Sequence, residues 1–169
     1  MLGRLSLNPA VHVDLIGTIV FPLLALVTGV PLLGWAKPVP VNMNNLRQPR
    51  RDFAIVALAG PVSNLILAGA GAILINTLFG SAVAAGLTTL IDALVFFASV
   101  NVMLAVFNMI PIPPLDGGNV LMGILPESLA AVVDQLRPWG FLLLYALMLS
   151  GILSTMVFPL QRTILNWLL

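Results

Sequence analysis

The chain has 169 residues, 60% of them hydrophobic and 8% charged, with a formal net charge of +1 and a mean hydropathy of +1.10. A water-soluble domain carries roughly 25% charged residues and needs a polar exterior, so this composition excludes an ordinary soluble globule. The near-neutral charge leaves no electrostatic footprint for a nucleic-acid partner, and the absence of cysteine excludes disulfides and thiolate metal sites.

The amino end, Met1 to Pro9, holds one arginine and no apolar core of the length a cleavable signal peptide needs, so the first hydrophobic span is expected to target the chain. Leu5-Ser6-Leu7-Asn8-Pro9 predicts a short extended piece ending in a turn. A hydrocarbon layer of about 30 Å needs about 20 apolar helical residues, and four stretches qualify. The first runs from Leu15 to Ala36, interrupted by Pro22 and Pro31. Trp35 to Val41 then predicts a second extended piece, because Pro38 and Pro40 each disfavour helix in the residue before them. The second span is predicted from Phe53 to Phe79, a tight turn at 80–81, the third span from Ala82 to Ile110, and the fourth from Trp139 to Phe158. Leu160 to Leu169 is an apolar tail, a helix extension or an interfacial piece. The expected fold is therefore all-α and transmembrane: about four spanning helices, the third broken, with short extended segments at the membrane surface, in one membrane domain over residues 1–169. Trp35, Trp139 and Trp167 fall at the ends of apolar runs, where amphipathic rings favour the headgroup region. The 37–52 connection carries Lys37, Arg47, Arg50 and Arg51 against Asp52, which predicts that this loop, and with it the 111–118 segment, lies toward the cytoplasm.

Chemistry-bearing residues are few. In Asn108-Met109-Ile110-Pro111-Ile112-Pro113-Pro114-Leu115-Asp116-Gly117-Gly118, the prolines at 111, 113 and 114 cannot continue a helix, so the third span must break here. Irregular backbone at membrane depth is tolerated where it is buried in protein or lines a wet cavity. A carboxylate at that depth costs roughly 2.5–3.5 kcal/mol on insertion scales and is usually paired or functional. Asp116 is thus a candidate metal ligand beside backbone open to an extended peptide, with Gly117 and Gly118 removing bulk beside it and permitting positive φ. The alternative is a surface turn whose Asp caps a short helix. Gly60, Asn64, Ala68 and Ala72 recur every four residues, a small-residue stripe suited to close helix packing, and Asn101 and Asn108 share a face of the third span. The single histidine, His12, reads as a hydrogen-bonding residue, since a zinc site needs three or four protein ligands. Asp92 is expected at the interface or paired.

Four stretches in order resemble the site-2 protease family of intramembrane zinc metalloproteases: Gly3 to Pro9 with His12 and Asp14, Gly34 to Val41, Ala59-Gly60-Pro61 with Asn64, and Phe107 to Gly118. The resemblance covers nearly the whole chain and implies its carboxyl-terminal membrane core. In that family two histidines of an HExxH helix and a later Leu-Asp-Gly aspartate bind zinc, and the HExxH glutamate activates water. The resemblance matches Asp116 to the metal-binding aspartate, and Asn108 with Pro111 and Pro113 to the segment that holds substrate. It matches Gly60, Pro61 and Asn64, with Gly117, to structural motif positions. It departs at one point: HExxH is absent, and one histidine and one glutamate (Glu127) cannot supply two imidazoles and a base. No catalytic residue is therefore expected in these 169 residues. Zinc is expected in the complete family form and not tightly bound here, and the chain is expected to be inactive as a fragment, a late-started frame or a pseudoenzyme. The implied partners are a transmembrane peptide or protein substrate and the lipid bilayer, in a prokaryotic cell membrane. Alternatives are a non-catalytic membrane binding module and, third, a transporter subunit suggested by the broken helix.

Overall fold

A computed structural model describes residues 13–29 and 46–169. The extended pieces expected at Leu5–Pro9 and Trp35–Val41, and His12, lie outside the described residues. Contacts divide the chain into Met1–Asn42 and Met43–Leu169, each considered by itself. Every regular element among the described residues is helical.

In the first unit, a π-helical turn Leu15–Val20 continues into α1, Phe21–Thr28. Asp14 starts it: its carboxylate accepts from the backbone N–H of Ile16 at 3.1 Å and Gly17 at 2.9 Å, while the Asp14 N–H donates to Thr18 Oγ1 at 3.1 Å. These bonds satisfy amides that a helix start leaves without partners. The predicted first span ran to Ala36, but α1 stops at Thr28. Gly29, with φ of 69°, takes the left-handed C-cap conformation that glycine adopts without a Cβ penalty.

The second unit is built on α2, Pro49–Ala84, whose 36 residues reach about 54 Å. Pro49 at the first turn needs no amide partner, and Asp52 there accepts from the Gln48 N–H at 3.0 Å. Such a length exceeds the hydrocarbon layer, so the helix swallows the turn predicted at 80–81. The turn falls instead at 85–87, where Gly86 has φ of 71°. α3, Thr88–Asn108, then folds back along α2.

Their contact is a seam of small side chains. On α2 the buried positions Ala54, Ala57, Pro61, Ala68, Gly71 and Ile75, with half-buried Asn64, follow alternating steps of three and four, and buried Ala82 lies seven residues further on. On α3 the matching series is Ile91, Leu94, Ala98, Asn101 and Ala105, with Leu94 half-buried. Helices in lipid gain little from excluding water, so close backbone approach through small residues supplies the packing. A Cβ at Gly71 would stand 3.2 Å from Phe97 Cδ1 and 3.6 Å from Ala98 Cβ. Asn101, 7% exposed in this seam, donates through Nδ2 to the Phe97 carbonyl at 2.8 Å, which settles its polarity within its own helix.

After α3 the chain turns through 109–115 and enters α4, Asp116–Ile124, which lies on the amino-terminal half of α2. α5, Glu127–Gln135, follows, then a 3-10 turn Arg137–Trp139, α6, Gly140–Leu149, and α7, Ile152–Leu168. The span predicted as one helix from Trp139 to Phe158 is divided at Gly151, whose φ of 78° ends the α6 path. Among the described residues, three helical stretches are long and apolar enough to cross a membrane: Pro49–Ala84, Thr88–Asn108 and Glu127–Leu149.

Candidate functional site

Asp116 is the first residue of α4, where a carboxylate meets the favourable end of the helix dipole. It is not the helix cap: Leu115 holds that place, in extended conformation and without a side-chain bond to the amides. The carboxylate instead faces α2. Its Oδ2 lies 3.0 Å from where a Cβ on Gly60 would stand, so the bare glycine makes room for the acid between α2 and α4. Asp116 is half-buried, and α4 is not one of the three spanning stretches; this desolvation raises its carboxyl above the ordinary value.

The proline turn is clamped from three sides by glycines. A Cβ on Gly117 would collide with the Met109 carbonyl oxygen and lie 2.5 Å from that of Ile110. One on Gly118 would lie 2.6 Å from Pro113 N. One on Gly140 would strike the Pro113 carbonyl oxygen. Gly117 and Gly118 are helical and buried, so close approach, not positive φ, is what they provide. Pro113, matched by the resemblance to the segment that holds substrate, is fully buried among these contacts. Pro111 is exposed, and Asn108, the last residue of α3, is half-buried at its mouth. The structure thus brings Gly60, Asp116 and Gly117 together, and ties the 109–113 backbone to the same place.

Sequence reading missed two contributors. Gly140 gives no local signal, because its role depends on a turn far away in the chain. Arg50 was read as loop charge. Its guanidinium donates from Nη2 to the carbonyls of Met122 and Leu125, both at 2.6 Å, across more than 70 residues of sequence. It thereby closes the carboxyl end of α4, whose last carbonyls lack helical partners. Gly123 seals the same end, since a Cβ there would strike Ala54 Cβ.

Apolar helices long enough to span, a proline turn and a half-buried aspartate at its exit define a membrane protein with a polar centre between helices. The description "Peptidase family M50" matches residues 71–150. YwhC of Bacillus subtilis (strain 168) is 38% identical over 162 residues, covering 93% of this chain and 70% of that protein. CPE1693 of Clostridium perfringens (strain 13 / Type A) is 34% identical over 112 residues, 63% of this chain and 32% of its own length. Rip2 of Mycolicibacterium smegmatis is 28% identical over 159 residues, 94% of this chain and 58% of its own. Each of the three bears the name "Putative zinc metalloprotease". No solved structure matches the chain. The chain belongs to peptidase family M50, the site-2 protease family.

Zinc takes four ligands, at least three of them from protein. Asp116 offers one carboxylate, and among the described residues no three of His, Cys, Asp or Glu come together.

Proposed function

We propose that these 169 residues form the carboxyl-terminal core, as one membrane domain, of an intramembrane metalloprotease that hydrolyses peptide bonds in transmembrane substrates. The observation that carries this reading is Asp116 at the start of α4, set against the bare backbone of Gly60 at the exit of a proline turn, in a chain of family M50. In it Asp116 is the metal-facing carboxylate. Asn108 and Pro111 border the path of an extended peptide, and Pro113, with Gly117, holds that border rigid. Gly60, Pro61 and Asn64 set the spacing between α2 and its neighbours. One histidine and one glutamate leave the remaining ligands and the base to be encoded outside this sequence. The 169 residues alone are then inactive.

The test is to read the DNA upstream of the Met1 codon and assay both products in proteoliposomes with a single-spanning substrate. An in-frame HExxH, cleavage by the longer protein and loss of that cleavage on Asp116→Ala are expected. Stoichiometric zinc on the 169-residue chain alone, or undiminished cleavage after Asp116→Ala, overturns it.

The single histidine and single glutamate favour a second reading, a peptide-binding module without proteolysis. It predicts capture of a transmembrane peptide that Asn108→Ala weakens and Asp116→Ala leaves unchanged.

A further inference from the structure

We propose that the cleft between α2, α4 and α5 holds the headgroup of a phospholipid with a primary amine, of the phosphatidylethanolamine class. Its phosphate would sit on Arg50 and Arg137 and its ammonium on Glu127. The cleft measures about 270 Å³, near the lower end of ligand pockets, which suits the polar end of a larger molecule. It lies at the end of α4 away from Asp116. Phe53, Met122 and Ala130, half-buried or buried, make an apolar floor, and Arg50, Glu127, Asp134 and Arg137 make an exposed rim.

Three observations converge on this ligand. First, the rim has donors to give. Arg50 bonds the Met122 and Leu125 carbonyls through Nη2 alone, so its Nε and Nη1 have no partner among the described residues. Arg137 bonds Asp134 through Nε at 3.0 Å, but its Nη2 has only long contacts, 3.4 Å to Asn119 Oδ1 and 3.7 Å to the Met122 sulfur. Planar guanidinium forks of this kind match the oxygens of a phosphate. Second, the two acids differ. Asp134 is paired with Arg137, whereas Glu127 has no hydrogen bond or ion pair among the described residues. A phosphate alone would leave that carboxylate unanswered, and an ammonium on the same headgroup supplies its counter-ion with three donors. Glu127 thus favours ethanolamine over glycerol, which brings no positive charge, and over choline, which has no N–H. Third, the cleft stands at headgroup level. α2 is longer than the hydrocarbon layer is thick, and Arg50 lies in its first turn. On α5 and just beyond it, exposed Leu129, Val132, Leu136 and Trp139 follow steps of three, four and three along one side, opposite the side of Glu127 and Asp134 that lines the cleft. A helix so divided lies in the interface with its apolar side on acyl chains. A lipid uses the charged rim and the apolar floor together, whereas a soluble phosphate compound uses the rim alone.

The experiment titrates the 169-residue chain in detergent with phosphatidylethanolamine, phosphatidylglycerol and phosphatidylcholine of identical acyl chains, and reads bound lipid by native mass spectrometry. One phosphatidylethanolamine is expected to bind at least about tenfold more tightly than either other lipid, the scale of one hydrogen bond to a charged group. Glu127→Gln should bring phosphatidylethanolamine down to the level of phosphatidylglycerol. Arg137→Gln should weaken both lipids alike. Ala131→Trp, which fills the cleft from its rim, should abolish the preference. All three changes fall at exposed positions, away from the buried seam of α2 and α3. Equal binding of the three lipids, tightest binding of phosphatidylglycerol, or a preference that survives Glu127→Gln or Ala131→Trp overturns the site. Glycerophosphoethanolamine, the same headgroup without acyl chains, is expected not to displace the lipid at equal concentration. Displacement under that condition assigns the cleft to a soluble ligand and overturns the lipid.

Discussion

Two glycines sit beside the same aspartate, and their substitutions should behave differently. A methyl at Gly60 meets only the far end of the Asp116 side chain, at 3.0 Å, and a carboxylate can rotate away. A methyl at Gly117 meets the carbonyls of Met109 and Ile110, which belong to a turn already closed by Gly118 and Gly140. Gly60→Ala is therefore expected to leave thermal unfolding in detergent nearly unchanged while moving the Asp116 side-chain carboxyl resonance. Gly117→Ala should cost about 1–3 kcal/mol, the usual range for overpacking. Equal melting temperatures for the two variants would show that the turn yields where the structure has it clamped.

At the scale of elements, α4 is short, nine residues, and below the length at which an isolated helix is stable in water. It persists because α2 holds both ends: Gly60 receives Asp116 at one, and Arg50 with Ala54 closes on Met122, Gly123 and Leu125 at the other. The Arg50 bonds are only partly shielded, so about 1–2 kcal/mol is a reasonable contribution for the pair. Arg50→Ala is expected to lose that amount in denaturant-dependent unfolding and to speed amide exchange in Leu121 to Leu125. Arg50→Lys should recover less than half, because an ammonium lacks the planar fork that reaches two carbonyls at once. Full recovery with lysine would mean that charge near the helix end, not the two bonds, is what matters.

For the whole molecule, the orientation proposed from loop charge can be tested directly, since the chain has no cysteine to remove. A single cysteine placed at Arg47, in the basic loop, should react with a membrane-impermeant maleimide only after the inner face of the membrane is opened. One at Gly86, in the turn between α2 and α3, would report the opposite face but sits at positive φ, so Leu87, 53% exposed, is the better site. Labelling of position 47 in intact cells would reverse the assignment and place Asp116 toward the outside.

Composition and apolar run lengths were enough to indicate a helical membrane protein, and the three closely spaced prolines predicted a break before Asp116, because both expectations follow from local rules: the length a bilayer demands and the donor a proline lacks. The ordered match of Gly60-Pro61, Asn64 and Leu115-Asp116-Gly117 pointed to the family. Tertiary contact decided the rest. The turns at Gly86 and Gly151 lay inside uninterrupted apolar stretches, where hydropathy is blind to which glycine takes positive φ. The burial of Pro113 and the anchoring of α4 by Arg50 could not be read locally, because each partner lies far away in sequence: Gly140 for one, Met122 and Leu125 for the other. Close approach between backbones depends on pairs of residues, and a single sequence carries that information only once the helices have found each other.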